Sequence, residues 1–209
     1  MVRSNTTWIH NLGVYKLTLG LALTTIQQAL SNSLDRTVNV TYDSAFLFNN
    51  TNKYGQCVRA FNITTRGLSI SFEGLPDGTE YIGSKTPFPF PGISEISKGL
   101  TLGDLCKKPH PKKNTTWDDM SYLIVENHNI DAYLTALEAA HDRYLLPTEE
   151  AMRYCPEWLI RARDGIHRVF SAENAMTEIA KHQEYFDMLN QRIDPLTMDD
   201  FQECDADFR

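Results

Sequence analysis

SAENAMTEIAKHQEYFDMLNQR, residues 171–192, carries the plainest helical signal in the chain, and with the rest of the stretch from Trp117 to Ile193 it decides the reading of the fold. Ala172, Ala175, Met176, Ile179, Gln183, Phe186, Leu189 and Ile193 recur at steps of three and four, which gathers them on one helical face. Glu173, Glu178, Lys181, Glu184 and Gln191 occupy the other face, Ser171 stands where an N-cap belongs, and Asp194-Pro195 ends the run. A second stripe, Ile130, Tyr133, Leu134, Leu137, Ala140 and Tyr144, stops before Pro147. A third runs through Ala151, Met152, Cys155, Trp158, Ala162, Ile166 and Val169 and is interrupted by Pro156. Proline lacks a donor and clashes one turn back, so Pro156 either kinks that helix or opens a new one. Such stripes need one another for burial, and residues 117–209 are therefore expected to form an antiparallel helical bundle with an acidic tail. A capping box over Thr116–Asp119 opens it.

Upstream, Leu12, Tyr15, Leu19, Leu23, Ile26, Leu30 and Leu34 trace an amphipathic N-terminal helix. Val38, Val40 and Tyr42 then alternate with Thr37, Asn39 and Thr41, the period of a half-buried strand, and Ala45 to Phe48 continues it. A strand from Gln56 to Thr64, a Thr65-Arg66-Gly67 hairpin loop, a return through Leu68, Ile70 and Phe72, and a short edge strand over Thr79–Ile82 complete the pattern. The expected fold class is α+β: an N-terminal amphipathic helix with an antiparallel β-meander, followed by the C-terminal bundle. Residues 1–85 form the first lobe, 86–116 a Pro-rich and basic connector, and 117–209 the second lobe. Proline at every second position of Thr86-Pro87-Phe88-Pro89-Phe90-Pro91 bars that segment from a central strand, and its phenylalanines are expected to pack on their own domain.

A 209-residue chain with 42% apolar residues is long enough to bury a core. The formal charge of −7 argues against nucleic acid as a partner, because binding phosphates needs clustered cations that release counterions. No run reaches the roughly 20 apolar residues of a membrane span. Cys57, Cys106, Cys155 and Cys204 lie far apart without a CxxC pair, and free thiols are expected. Five N-x-T triplets begin at Asn5, Asn39, Asn49, Asn62 and Asn114, a pattern that an Asn/Thr-rich extended half produces by composition and that a secreted protein uses for glycans. With only a weak signal-peptide core at Leu17–Ile26, the cytoplasm or a virion is the expected setting, and the secreted N-glycosylated binding protein stands as an alternative.

Catalytic motifs are sparse. Neither a GxSxG elbow nor a Gly-rich phosphate loop occurs. His141-Asp142, with His128, His167 and His182 in the same half, resembles the His-Asp pair of helical HD-type phosphohydrolases. That resemblance implies a divalent metal activating water, with His141, Asp142 and His182 as the residues involved. Core histidines bonded to backbone explain the same positions, so no metal and no cofactor is expected. Lys107, Lys108, Lys112 and Lys113 form a basic cluster, and Asp199, Asp200, Glu203, Asp205 and Asp207 an acidic tail. Opposite charges on two segments favour contact between chains. The expected function is that of a non-enzymatic structural or assembly protein, for example a virion or large-complex subunit, acting as a homo-oligomer or larger assembly through these residues.

Overall fold

The structure, a computed structural model, describes residues 6–109 and 115–190. The described residues are mixed, 52% helical and 16% strand, with a helix-rich C-terminal half. In order the elements are β1 (Trp8–Leu12), α1 (Leu17–Leu34), β2 (Asn39–Asp43), α2 (Phe46–Tyr54), β3 (Gln56–Ile63), β4 (Leu68–Gly74), α3 (Leu102–Leu105), α4 (Asp119–Tyr144), α5 (Thr148–Ala151), α6 (Glu157–Ser171), α7 (Ala175–Lys181) and α8 (Gln183–Asn190). They sort into two compact units, Met1–Ser44 with Asn62–Ser69 and Ala139–Arg209, and Ala45–Phe61 with Ile70–Glu138. Each unit draws on stretches from both sides of the Pro-rich segment.

In the first unit β1, α1 and β2 make a βαβ element, because β1 and β2 pair in parallel and parallel strands need a crossover between them. Gly13, at φ 75°, turns the chain out of β1, and Asp35, at φ 48°, ends α1 with its N–H returned to Asn32 O. The apolar stripe of α1 packs on α6. Ala22, Ala29 and Ile166 are buried there, with Ile26, Phe170, Phe186 and Leu189 half-buried around them. Gly165 lets α7 and α8 approach α6, since a Cβ at that position would stand 2.8 Å from His182 Cδ2. Arg163 is buried but fully occupied. Its guanidinium donates to Tyr144 O, to Leu146 O at 2.9 Å and to Thr148 Oγ1 at 2.9 Å, and it pairs with Asp164 at 2.9 Å.

In the second unit Cys57, Leu75, Phe88, Leu105, Cys106, Trp117 and Val125 form the core. The Pro-rich segment folds onto this core: Phe88 is buried, and its N–H donates to Leu100 O at 2.9 Å where Pro87 bridges Thr101. Phe90 meets Phe88 edge to face with centroids 6.0 Å apart. α4 opens on a reciprocal cap in which Ser121 N–H donates to Asp118 Oδ1 at 2.9 Å and Asp118 N–H to Ser121 Oγ at 3.3 Å. The Ser121 N–H, and the Ser121 hydroxyl at 2.8 Å from the same oxygen, hold the Asp118 carboxyl below its ordinary value.

Several expectations are corrected. Among the described residues the strands form two separate two-stranded sheets, β1–β2 and β3–β4, rather than one antiparallel meander. Leu12 belongs to a strand and not to the N-terminal helix, which starts at Leu17 and packs on α6. Ala45–Phe48 leads into α2, and Thr79–Tyr81 is a single 3-10 turn instead of an edge strand. Pro156 starts a new helix, while the stretch before it supplies only the one-turn α5. The run that opens at Ser171 is split as well. Ser171 closes α6, Asn174 caps α7 through a bond from Thr177 N, and the helix breaks at His182. The box expected over Thr116–Asp119 lies two residues later, at Asp118 and Ser121, while Thr116 Oγ1 donates to Asp77 O at 2.7 Å.

Candidate functional site

A strand at the rim of a sheet leaves a row of N–H and C=O groups that something must satisfy, and three of the strands resolve this in instructive ways. On β3, Val58 N–H donates to Asn129 Oδ1 at 2.7 Å and Val58 O accepts from His128 Nε2 at 2.8 Å. Asn129 also donates to Thr51 Oγ1 at 2.8 Å and to Gln56 O at 3.2 Å, so α4 covers the β3 edge with side chains. His128 Nε2 is the donor to that carbonyl, which leaves Nδ1 to accept the Ser94 hydroxyl at 2.7 Å. Burial holds the imidazole below its ordinary pKa and so neutral, with the Val58 bond and Asp131 opposing the shift.

On β2 the cover comes from α1. Val40 N–H donates to Gln27 Oε1 at 2.7 Å, and Val38 N–H to Ser31 Oγ at 3.1 Å. At Val38 and Val40 the rim on this side is therefore guarded by the chain itself.

β1 differs. Asn39 N–H donates to Thr7 O at 2.9 Å with Trp8 opposite Asn39 in the parallel register. Alternation along a strand then turns the backbone groups of Ile9 and Asn11 toward β2 and those of Trp8, His10 and Leu12 away from it. Among the described residues no strand pairs with that outward edge. The side chains of the same three residues share one face, where Trp8 is 61% and Leu12 77% exposed. Trp8 Nε1 donates to Thr41 Oγ1 at 3.0 Å, and His10 Nδ1 lies 2.9 Å from the same oxygen. The other ring nitrogen, Nε2, stands 3.4 Å from Asp43 Oδ2. The relay fixes the indole and imidazole rings on an otherwise open surface.

The residues singled out from sequence are dispersed. His141 is half-buried near the end of α4 and Asp142 is exposed. His182 caps α7, with Nδ1 3.0 Å from Glu178 O and its ring against Phe186. Among the described residues no group of three or more His, Cys, Asp or Glu is placed to hold a metal ion, so His141, Asp142 and His182 do not assemble the centre that a phosphohydrolase needs. His167 lines a cavity of about 350 Å³ at the C-terminal turns of α1 and α6, together with Asn32, Ser33, Arg168 and Phe170. Lys107 Nζ donates to Gly103 O at 3.2 Å, and Lys108 is exposed. Lys112, Lys113, Asp199, Asp200, Glu203, Asp205 and Asp207 lie outside the described residues.

Of the N-x-T triplets, the one at Asn49 has its Thr51 buried, with the hydroxyl accepting from Asn129. Cys57, Cys106 and Cys155 are buried free thiols. Among the described residues no helix is long and apolar enough to cross a membrane. Sequence reading missed β1, because Trp8-Ile9-His10-Asn11-Leu12 sets two apolar residues side by side and then two polar ones, and only the β-favouring Trp8 and Ile9 ahead of Gly13 hint at a short strand. No family model matches the chain, and neither does any curated protein or solved structure.

Proposed function

We propose that the protein is a non-enzymatic structural or assembly protein that works through protein–protein contacts, as an oligomer or as a subunit of a larger complex. The observation that carries this reading is the β1 edge. It joins outward backbone groups to an exposed Trp8 and Leu12, and it has neither the charge nor the proline with which proteins guard such edges. Exposed Met120, Leu123 and Leu134 on α4 offer further apolar contact area. The basic cluster at Lys107, Lys108, Lys112 and Lys113 supplies opposite charge for an acidic segment, in this proposal Asp199, Asp200, Glu203, Asp205 and Asp207 of a neighbouring chain.

Static light scattering over a concentration and salt series tests this. A mass above that of the 23.9 kDa chain is expected at micromolar concentration. Part of the association should weaken as salt screens the charged contact, and that part should be absent when the four lysines are changed together to glutamine. A strictly monomeric protein up to high micromolar concentration overturns the reading.

A further inference from the structure

We propose that the outward edge of β1 pairs antiparallel with β1 of a second copy of this chain, about a two-fold axis through His10. The inference rests on the assembly reading and names its partner. A two-fold contact must be self-complementary, so that each residue meets its symmetry mate's counterpart. β1 has the right arrangement for this. It is five residues long with His10 at its centre, and Trp8 and Leu12 stand two residues to either side on the same face. An axis through His10 sets Trp8 of one chain opposite Leu12 of the other, twice, giving two aromatic–aliphatic cross-strand pairs.

The backbone agrees with the side chains. Trp8, His10 and Leu12, whose N–H and C=O face outward, are the residues that such a register brings opposite one another. Each opposed pair then exchanges both of its hydrogen bonds, about six in all. The product is one four-stranded sheet in the order β2–β1–β1–β2, with the outer rims already guarded at Val40 and Val38 by Gln27 and Ser31 of each chain. A parallel pair standing alone is an unusual sheet, and four strands reach the size at which sheets become stable units. Nothing along Trp8–Leu12 opposes the pairing: the strand contains no lysine, glutamate or proline. His10 meets His10 of the copy, and each keeps its own Asp43 at 3.4 Å beside it.

The register makes a single substitution diagnostic. His10→Cys places the two new thiols on residues whose Cα atoms stand about 5.5 Å apart, inside the range that a disulfide spans. Trp8→Cys and Ile9→Cys do not, because their counterparts across the axis are Leu12 and Asn11. The full chain with Cys204→Ser, which removes the cysteine outside the described residues, is incubated with oxidised glutathione and its intact mass read without reductant. The expected result is a covalent dimer for His10→Cys and at least about tenfold less for the other two.

His10→Pro gives a second reading, since it removes an N–H that faces the open edge and none that bonds β2; light scattering should find it shifted to monomer while its circular dichroism stays that of the wild type. Efficient cross-linking at Trp8 equal to that at His10 overturns the register. Association that survives His10→Pro, with no His10→Cys dimer, overturns the strand pairing and leaves the assembly reading standing on another surface. A wild type that is monomeric throughout overturns both.

Discussion

At β3 the N–H and C=O of Val58 end on Asn129 and His128, whereas at β1 the outward groups of Trp8, His10 and Leu12 meet no strand among the described residues. Both are strands of two-stranded sheets, but the β3 edge is buried and the β1 edge faces water. An unpaired group in the interior costs about 1–3 kcal/mol, so β3 requires its guards, and α4 gives up two inward-facing positions to polar residues to supply them. At β1 water satisfies the same groups without cost. What remains unexplained there is the apolar face of Trp8 and Leu12, and that excess is what a partner would cover.

The contrast is open to direct attack. Asn129→Ala strips the guard from Val58 N–H, leaves Gln56 O with only the Thr51 hydroxyl at 3.4 Å and takes from Thr51 its donor, and the expected loss is about 3 kcal/mol in urea unfolding. A change below about 1 kcal/mol would mean that water replaces the amide and that the β3 edge is no more closed than the β1 edge.

His128→Gln should cost less, about 2 kcal/mol, but it changes the pH response. Burial lowers the folded pKa of His128, so between the unfolded value of about 6.5 and the lower folded value the unfolded chain binds more protons. Its contribution is present above about pH 6.5 and is lost as pH falls below it, at up to about 1.4 kcal/mol per unit. Urea midpoints at pH 7.5 and 5.5 should differ more in the wild type than in His128→Gln, and equal slopes would remove the buried neutral imidazole from the account. The smallest effect belongs to Trp8→Ser on the open edge. Measured where the chain is monomeric, it should move the unfolding free energy by less than about 0.5 kcal/mol, and a larger loss would show that Trp8 serves its own fold.

That α1 and α6 are helices and β3–β4 a hairpin was legible because each is a local period, and a hairpin's partner strand is its neighbour in sequence. The stripe read on α1 was not the buried one: Leu12, Tyr15 and Leu34 are exposed, and the helix buries Leu17, Leu21, Ala22, Thr25 and Ala29 beside Leu23 and Leu30. β1–β2 was not legible, since its pairing is parallel and crosses the whole of α1, a long-range choice that no window of the chain contains. α2 was misread for a related reason. It buries Asn50 and Thr51, and Thr51 earns that place through Asn129, seventy-eight residues on. The candidate site suffered most. His128 and Asn129 look like a break in an apolar stripe, and only the Val58 backbone beside them shows what they do. Charge alone pointed to the lysine cluster, whereas the edge of β1 is defined by groups that every residue carries.

The buried cysteines give the two units separate clocks. Cys57 and Cys106 lie in the core of the second unit and Cys155 in the first, and all three are free. Desolvation pushes the Cys155 thiol up to about 11, and Cys57 is raised further by burial and by Glu73. At neutral pH the reactive thiolate of Cys155 is thus on the order of one part in ten thousand while the chain is closed, and alkylation has to wait for an opening that admits water. Each thiol therefore keeps time for its own surroundings, so a contact that tightens one unit alone slows the labelling of that unit's cysteines and leaves the other's rate where it was.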